Sequence, residues 1–412
     1  MKAIITISAI CILLTVGCNR NPENPGKLRT ILFERCIETE QKMKISEIAD
    51  TIEYLELKTP HDIVISRILN IVCGDDFWLI HTRQGIYKFT RTGEFVKQIG
   101  RQGQGPDEYL YILGIDINPA RKEIIHADMQ QILYYDYDGN FLRKEKINDY
   151  FFNIVFVDSV LWTCNLCMHI DKYMACALSL AGDTVTVVPN PNYGIESLNE
   201  GFSFASSSEL REFSKYKENV YMKTRSSRDT VYQLSGTKWT PYLYLDMGKY
   251  RMPIEYEAWY SEDAYNKNAI NYWNIPRLEE DDRYFFFTAV RQKQTQRGEN
   301  ENDYKFVIYD KKERVGFVVK NEDGMKITDD ILGGPNFWPR WSTDDLYITT
   351  MEWFDLAQWI KDKKRTLSPT LQKQFESWGE DTNQLIVLCR KRLCDSRNTN
   401  YVMKNENNKN NK

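Results

Sequence analysis

The feature that most restricts this chain is a pattern it repeats. "WLIHTRQGIYKFTRTGEFVKQIG" from Trp78 and "IIHADMQQILYYDYDGNFLRKEK" from Ile124 each read as an apolar strand, a polar break, a second apolar strand, a tight glycine turn and a third strand. The turn glycines Gly93 and Gly139 are 46 residues apart, and Gly182 in "SLAGDTVTVV" follows after 43 more. Strands joined by Asp-Gly-type hairpin turns at that period specify four-stranded antiparallel units. No such unit can bury its own faces, so each must pack on the next. Looser copies begin at Asn219, Arg283 and Asp345, which makes six units. Aromatic residues, 13% of the chain, suit strands and fill the space between packed sheets.

Between the first two units runs "GRQGQGPDEYLYILGID", Gly100 to Asp116. Its glycines invite a phosphate-loop reading, but both versions fail. A dinucleotide fingerprint would have its third glycine where Glu108 stands, and a P-loop needs Gly-Lys-Ser/Thr where Gly105 is followed by Pro106. The following "YLYILGIDIN" has strand chemistry, so no helix begins there. The stretch is expected to join the outermost strand of one unit to the innermost strand of the next, with glycines taking turns that a Cβ would obstruct.

"IGRQGQGPDEY" (Ile99 to Tyr109), the "YDYDGNF" turn (Tyr135 to Phe141), the leader "IEYLELKTP" (Ile52 to Pro60) and the N-terminus together resemble the six-bladed β-propeller lipoproteins common in Bacteroidetes, relatives in pattern of NHL-repeat propellers. The resemblance implies an all-β, six-bladed propeller over residues 48–393 and an envelope location; the family has no established common reaction. The sixth unit supplies only three strands, from Asn336 onward, at Leu346 to Met351 and at Gln384 to Cys389. Ile52 to Leu57 is therefore expected to be the missing outer strand, antiparallel to Gln384 to Cys389.

The first 17 residues, one Lys followed by an apolar run, read as an export signal. "LTVGC", Leu14 to Cys18, resembles a lipoprotein cleavage box with Thr in place of a Leu; it implies cleavage after Gly17 and acylation of Cys18. Residues 18–47 are expected to form a polar tether and 394–412 a disordered polar tail. These features place the protein in the cell envelope, lipid-anchored to the outer membrane, with the side left open. With 54 basic against 58 acidic residues there is no electrostatic footprint for nucleic acid. Membrane contact is expected through the lipid alone. Beyond Cys11 and Cys18 seven cysteines remain, an odd number that cannot form a complete disulfide framework. "CNLC" (Cys164 to Cys167) has no second pair, so buried cysteines are expected rather than a zinc or redox site.

With strands lettered a to d outward, alternation puts the d–a and b–c connections on one face and the a–b and c–d hairpins on the other. The long, charged and aromatic loops fall in the first group, including insertions at Tyr250 to Trp273 and Phe354 to Trp378. Scaffolds carry their sites on such loops. Ligand-binding candidates on that face are Arg83, Arg101, Glu108, Arg225, Arg228, Trp338 and Trp341. The arginines suit an anion clamp, or salt bridges on a wet rim; the two tryptophans either stack sugar rings or wedge between blades.

His81, His126 and His169 recur about one unit apart. His126 and His169 stand 13 residues before their turn glycine but His81 stands 12, so a regular pleat turns it to the opposite face and argues against a shared metal. No nucleophile–base signature appears, and no catalytic residue, metal or cofactor is assigned. The expected role is binding of an unidentified glycan, peptide or protein. The alternatives are a propeller lyase or hydrolase, metal-assisted through His126 or His169, and a structural subunit of an envelope complex.

Overall fold

A computed structural model of the chain describes residues 28–65, 67–147, 153–165, 171–194, 212–224, 228–253, 270–294, 300–362 and 365–392. They form six antiparallel sheets arranged as a propeller. Blade 1 is Ile68–Cys73, Phe77–Thr82, Ile86–Thr90 and Phe95–Ile99. Blade 2 is Gly114–Asn118, Glu123–Asp128, Gln131–Asp136 and Phe141–Lys146. Blade 3 is Asn153–Val157, Val160–Cys164, Tyr173–Leu178 and Thr184–Pro189. Blade 4 is Phe213–Tyr216, Asn219–Met222, Thr230–Ser235 and Lys238–Asp246. Blade 5 is Asn274–Glu280, Tyr284–Gln294, Asn300–Asp310 and Val315–Asn321. Blade 6 is Trp341–Ser342, Leu346–Met351, Leu385–Lys391 and, from the other end of the chain, Ala49–Glu56.

That last pairing closes the ring as expected. Glu56 lies opposite Leu385, Ile52 opposite Cys389 and Thr51 opposite Arg390, all antiparallel. The closing strand continues onto blade 1: the Lys58 amide donates to the Gly93 carbonyl at 2.9 Å. Gly93 has φ +85°, and a Cβ there would stand 2.1 Å from the Glu56 carbonyl oxygen. Its turn tolerates no side chain because the closing strand lies against it.

Each seam between blades holds one cluster of buried side chains. Ile80 and Phe89 of blade 1 meet Leu55, Ile348 and Ile386 of blade 6, while Leu79 and Ile86 meet Ile115 and Leu133 of blade 2. Alternate residues of one strand thus serve opposite seams, as the two-residue period of a strand requires. The innermost strands are tied by polar groups. Asp116 Oδ2 of blade 2 accepts from the Phe156 amide of blade 3 at 2.7 Å and from Lys215 Nζ of blade 4 at 2.8 Å. Trp341 Nε1 of blade 6 donates to Asn70 Oδ1 of blade 1 at 3.0 Å.

The N-terminal segment departs from expectation. The tether assigned to residues 18–47 is, from Arg29 on, a belt laid against blades 4 and 5. Arg29–Leu32 adds a parallel strand to the outer edge of blade 4, α1 (Phe33–Glu38) follows, and Glu40–Gln41 adds one to blade 5. Ile31, Phe33, Cys36, Ile37, Met43 and Ile45 are buried beneath it. Polar composition concealed this because the apolar groups, Ile31 to Phe33, Cys36, Ile37, Met43 and Ile45, are interrupted by charged residues and follow no single strand or helix period. Their gain comes from covering edges and seams that are otherwise wet.

Candidate ligand-binding face

The two faces differ as the alternation of strands predicts. No hairpin is longer than the five residues 179–183, whereas the d–a and b–c connections include 247–273 and 352–384. The difference extends to chemistry. Among the described residues, the exposed large hydrophobic side chains that lie in connections are Val64, Leu110, Tyr111, Tyr193 and Phe354. All five are on the long-connection face. The others lie on outer strands or in the belt.

The glycine-rich connection from blade 1 to blade 2 does cradle an anion, but it is the loop's own. Glu108 accepts from the Gly105 amide at 2.7 Å and also from the Gln104 backbone, and its other oxygen lies 2.5 Å from Arg101 Nε. The Gly105 amide first, with Arg101 adding to it, holds this carboxyl below the usual range. A Cβ on Gly103 would stand 2.0 Å from Glu108 Oε2, so a side chain there would push the carboxylate from its place in the loop. Asp128, at the end of the second strand of blade 2, secures the rest of the crossing. Its oxygens accept from the Leu110, Tyr111 and Met129 amides and from Gln131 Nε2 at 2.8–3.1 Å.

The candidates therefore separate. Arg101 and Glu108 are brought together as a rim ion pair, with Arg101 largely exposed. Arg83 stands exposed on the b–c turn of blade 1. Arg228, on blade 4, takes up φ +49° and donates from Nη2 to the Met252 carbonyl at 2.6 Å. Arg225, Cys18, Cys167 and His169 lie outside the described residues.

Of the two readings open for Trp338 and Trp341, the structure takes the second: they are wedges between blades and not sugar-stacking platforms. Both are buried. Trp338 donates to Thr288 Oγ1 at 3.0 Å and packs on Phe286 and Phe306 of blade 5, while Trp341 reaches blade 1 through Asn70 with Arg277 and Arg340 over its ring. A seam of six sheets needs large rings, and the sequence pattern alone does not distinguish a ring in a seam from one on a rim.

The face is roofed over blades 5 and 6 by the helical insertion. Its helices α2 (Trp353–Lys361) and α3 (Pro369–Ser377) bury Leu356 and Leu371 in the seam cluster. Asp329 anchors the crossing below, accepting from the Ile331, Leu332 and Gly334 amides at 2.8–3.1 Å, with the Tyr54 hydroxyl at 3.4 Å. Outside that contact Trp353 stacks on Phe375 at 6.0 Å, and Phe354 is left 57% exposed. In the sequence Leu356 stands at helical spacing with Trp359 and Ile360, but nothing there signals that Phe354 faces solvent.

Two histidines meet in a seam that strand parity alone does not reveal. His81 and His126 do point to opposite faces of their own blades, but adjacent blades meet through opposite faces. His81 continues the row of Phe77 and Leu79, and His126 that of Ile124; all three apolar residues belong to the seam between blades 1 and 2. Both imidazoles are enclosed and act on one another electrostatically. Burial lowers His81 to about 3, with His126 adding to the effect, and lowers His126 to about 4. Among the described residues no group of three or more His, Cys, Asp or Glu could hold a metal. Cys36, Cys164 and Cys389 are free thiols, with burial holding Cys164 and Cys389 well above the ordinary range. No described helix is long and apolar enough to cross a membrane.

The fold defines a six-bladed β-propeller, closed by its N-terminal strand and carrying its long connections on one face. The chain belongs to the DUF4934 family, a domain of unknown function, matched over residues 28–390. No curated protein sequence matches it. Among solved structures it is similar to a protein assigned to export in Bacteroides fragilis NCTC 9343, at 16% identity and TM-score 0.66, covering 89% of this chain and all of that one. Looser likenesses are BamB from Moraxella catarrhalis (11% identity, TM-score 0.40, 66% and 80% covered) and the Pan2 WD40 domain of Neurospora crassa (12%, 0.38, 67% and 73%).

Proposed function

We propose that this protein is an exported propeller, anchored through Cys18, that binds a glycan, peptide or protein partner on its long-connection face. The observation that carries the reading is the confinement of connection-borne exposed apolar side chains to that face, where Leu110 and Tyr111 stand beside Arg101 and Phe354 projects from the helical insertion. Exposed apolar side chains grouped on one face mark interaction surfaces when they adjoin, and loops held by a rigid scaffold are where binding sites collect. Export accords with the apolar leader and with the assignment of the Bacteroides fragilis relative.

The test has two parts. Mass spectrometry of the mature protein is expected to show an acylated Cys18 as its first residue; an unmodified start elsewhere removes the anchor. Screening the mature protein against glycan and peptide arrays is expected to give ligands whose binding falls at least tenfold in Tyr111→Ala, Arg101→Ala or Phe354→Ala and is unchanged in the hairpin-face control Glu94→Ala. Equal loss in the control places the site on the wrong face.

A further inference from the structure

We infer that His81 and His126 form an acid-sensitive latch on the crossing between blades 1 and 2, and that mild acid opens this part of the long-connection face before the propeller unfolds. The pair grips consecutive residues of one segment. His126 Nε2 lies 3.0 Å from the Tyr111 carbonyl, and His81 hydrogen-bonds the Ile112 backbone. A carbonyl can only accept, so Nε2 of His126 carries the proton and Nδ1 is left as a lone pair. His126 Nδ1 and His81 Nε2 are both buried without a hydrogen-bond partner among the described residues. The latch is therefore made for two neutral rings.

A proton added to either ring is opposed by burial, and only Asp128, beside His126, offsets that with charge. Asp128 of blade 2 acts on His126, and Tyr109 of the crossing packs on it; Tyr109 in turn neighbours Tyr87 of blade 1 and Tyr135 of blade 2, and Asp107 acts on Tyr135. The tyrosines are kept neutral by burial, and Tyr109 sets its ring edge-on to His126 at 4.6 Å. Asp128 is the nearest carboxylate to His126 and favours its proton, but its oxygens are already shared among four donors. The second imidazole adds like charge once it too is protonated. Relief comes from freeing the segment both rings hold. This crossing is a surface connection with glycines and few buried side chains, the kind that opens locally at a fraction of the global cost.

The sign follows from linkage. Both rings bind protons less readily when enclosed than when free, so opening takes up protons. Closure is strongest above the free value of 6.5 and weakens as pH falls from there, towards about 4 for the His126 contribution and about 3 for that of His81. One exposed ring alone shifts the opening equilibrium by roughly twentyfold between pH 7 and pH 5.

Hydrogen–deuterium exchange of the mature protein, corrected for the intrinsic pH dependence of exchange, tests this. Peptides covering residues 101–113 are expected to lose at least tenfold protection between pH 7 and pH 5 while the strands of blades 4 and 5 keep theirs. The double variant His81→Asn/His126→Asn, which cannot take up a proton, is expected to show flat protection over the same range. A wild-type crossing whose protection is unchanged until global unfolding overturns the latch, and so does an equal pH response in the variant. Should the variant not fold, NMR titration of wild type labelled at histidine decides alone. Two rings silent between pH 7 and 5.5 support the latch, and four rings titrating near 6.5 overturn it.

Discussion

Ile52 lies opposite Cys389 in the ladder that closes the ring, so the outermost strand of the last blade comes from the start of the domain. Removing residues 48–58 strips blade 6 of that strand and bares the edge of Leu385–Lys391, five of whose seven residues, Leu385 to Cys389, are buried apolar groups. An exposed apolar edge templates association. The deletion variant is expected to aggregate when purified, as seen by light scattering; a soluble variant with a cooperative melt would show that closure is dispensable.

Trp338 and Trp341 are wedges, so their loss is a packing defect. Trp338→Ala and Trp341→Ala are each expected to cost about 3–5 kcal/mol of stability. Trp341→Ala also leaves Asn70 Oδ1 without its indole donor. Thermal melts beside ligand titrations check this: a lowered melting temperature with unchanged affinity per folded molecule is the expected pair of results.

Phe33 is fully buried and meets Phe287 of blade 5 edge-to-face at 5.3 Å. Phe33→Ala is expected to destabilise the protein by about 3–5 kcal/mol, a core-sized effect from a residue in what reads as a tether. Denaturant unfolding measures it. A change below about 0.5 kcal/mol, the size of an ordinary surface substitution, would mean the belt is not part of the cooperative unit.

Glu108 organises the glycine loop from inside. Glu108→Ala is expected to raise exchange and proteolytic cleavage within residues 101–108 and to leave the global melt nearly unchanged. Because this carboxyl is held below its ordinary value of 4.5, its contribution is present above that pH and is lost as pH falls through its lowered value. That window lies below most of the one in which the histidines act. A wild-type loop showing no additional loss of protection below pH 4.5 would count against the role given to Glu108.

Much of this protein is written locally. The glycine turns at Gly93, Gly139 and Gly182, the alternation of the strands between them and the shortfall of one strand in the sixth unit are all short-range facts. Together they dictate six blades, their closure and the sorting of loops onto two faces. Strand parity also is local: the one-residue offset of His81 relative to His126 is visible in the chain. What the offset means was settled only when blade 1 met blade 2, because a residue's neighbours across a seam depend on which faces pack, not on its own strand. The same holds for Trp338 and Trp341, whose rings suit a seam or a rim equally until the sheets close on them. It holds for Phe33 too, whose partner Phe287 is far away in the chain and adjacent only in the folded ring. Backbone pattern is set by sterics and hydrogen bonding over a few residues, whereas burial is a property of the assembled whole.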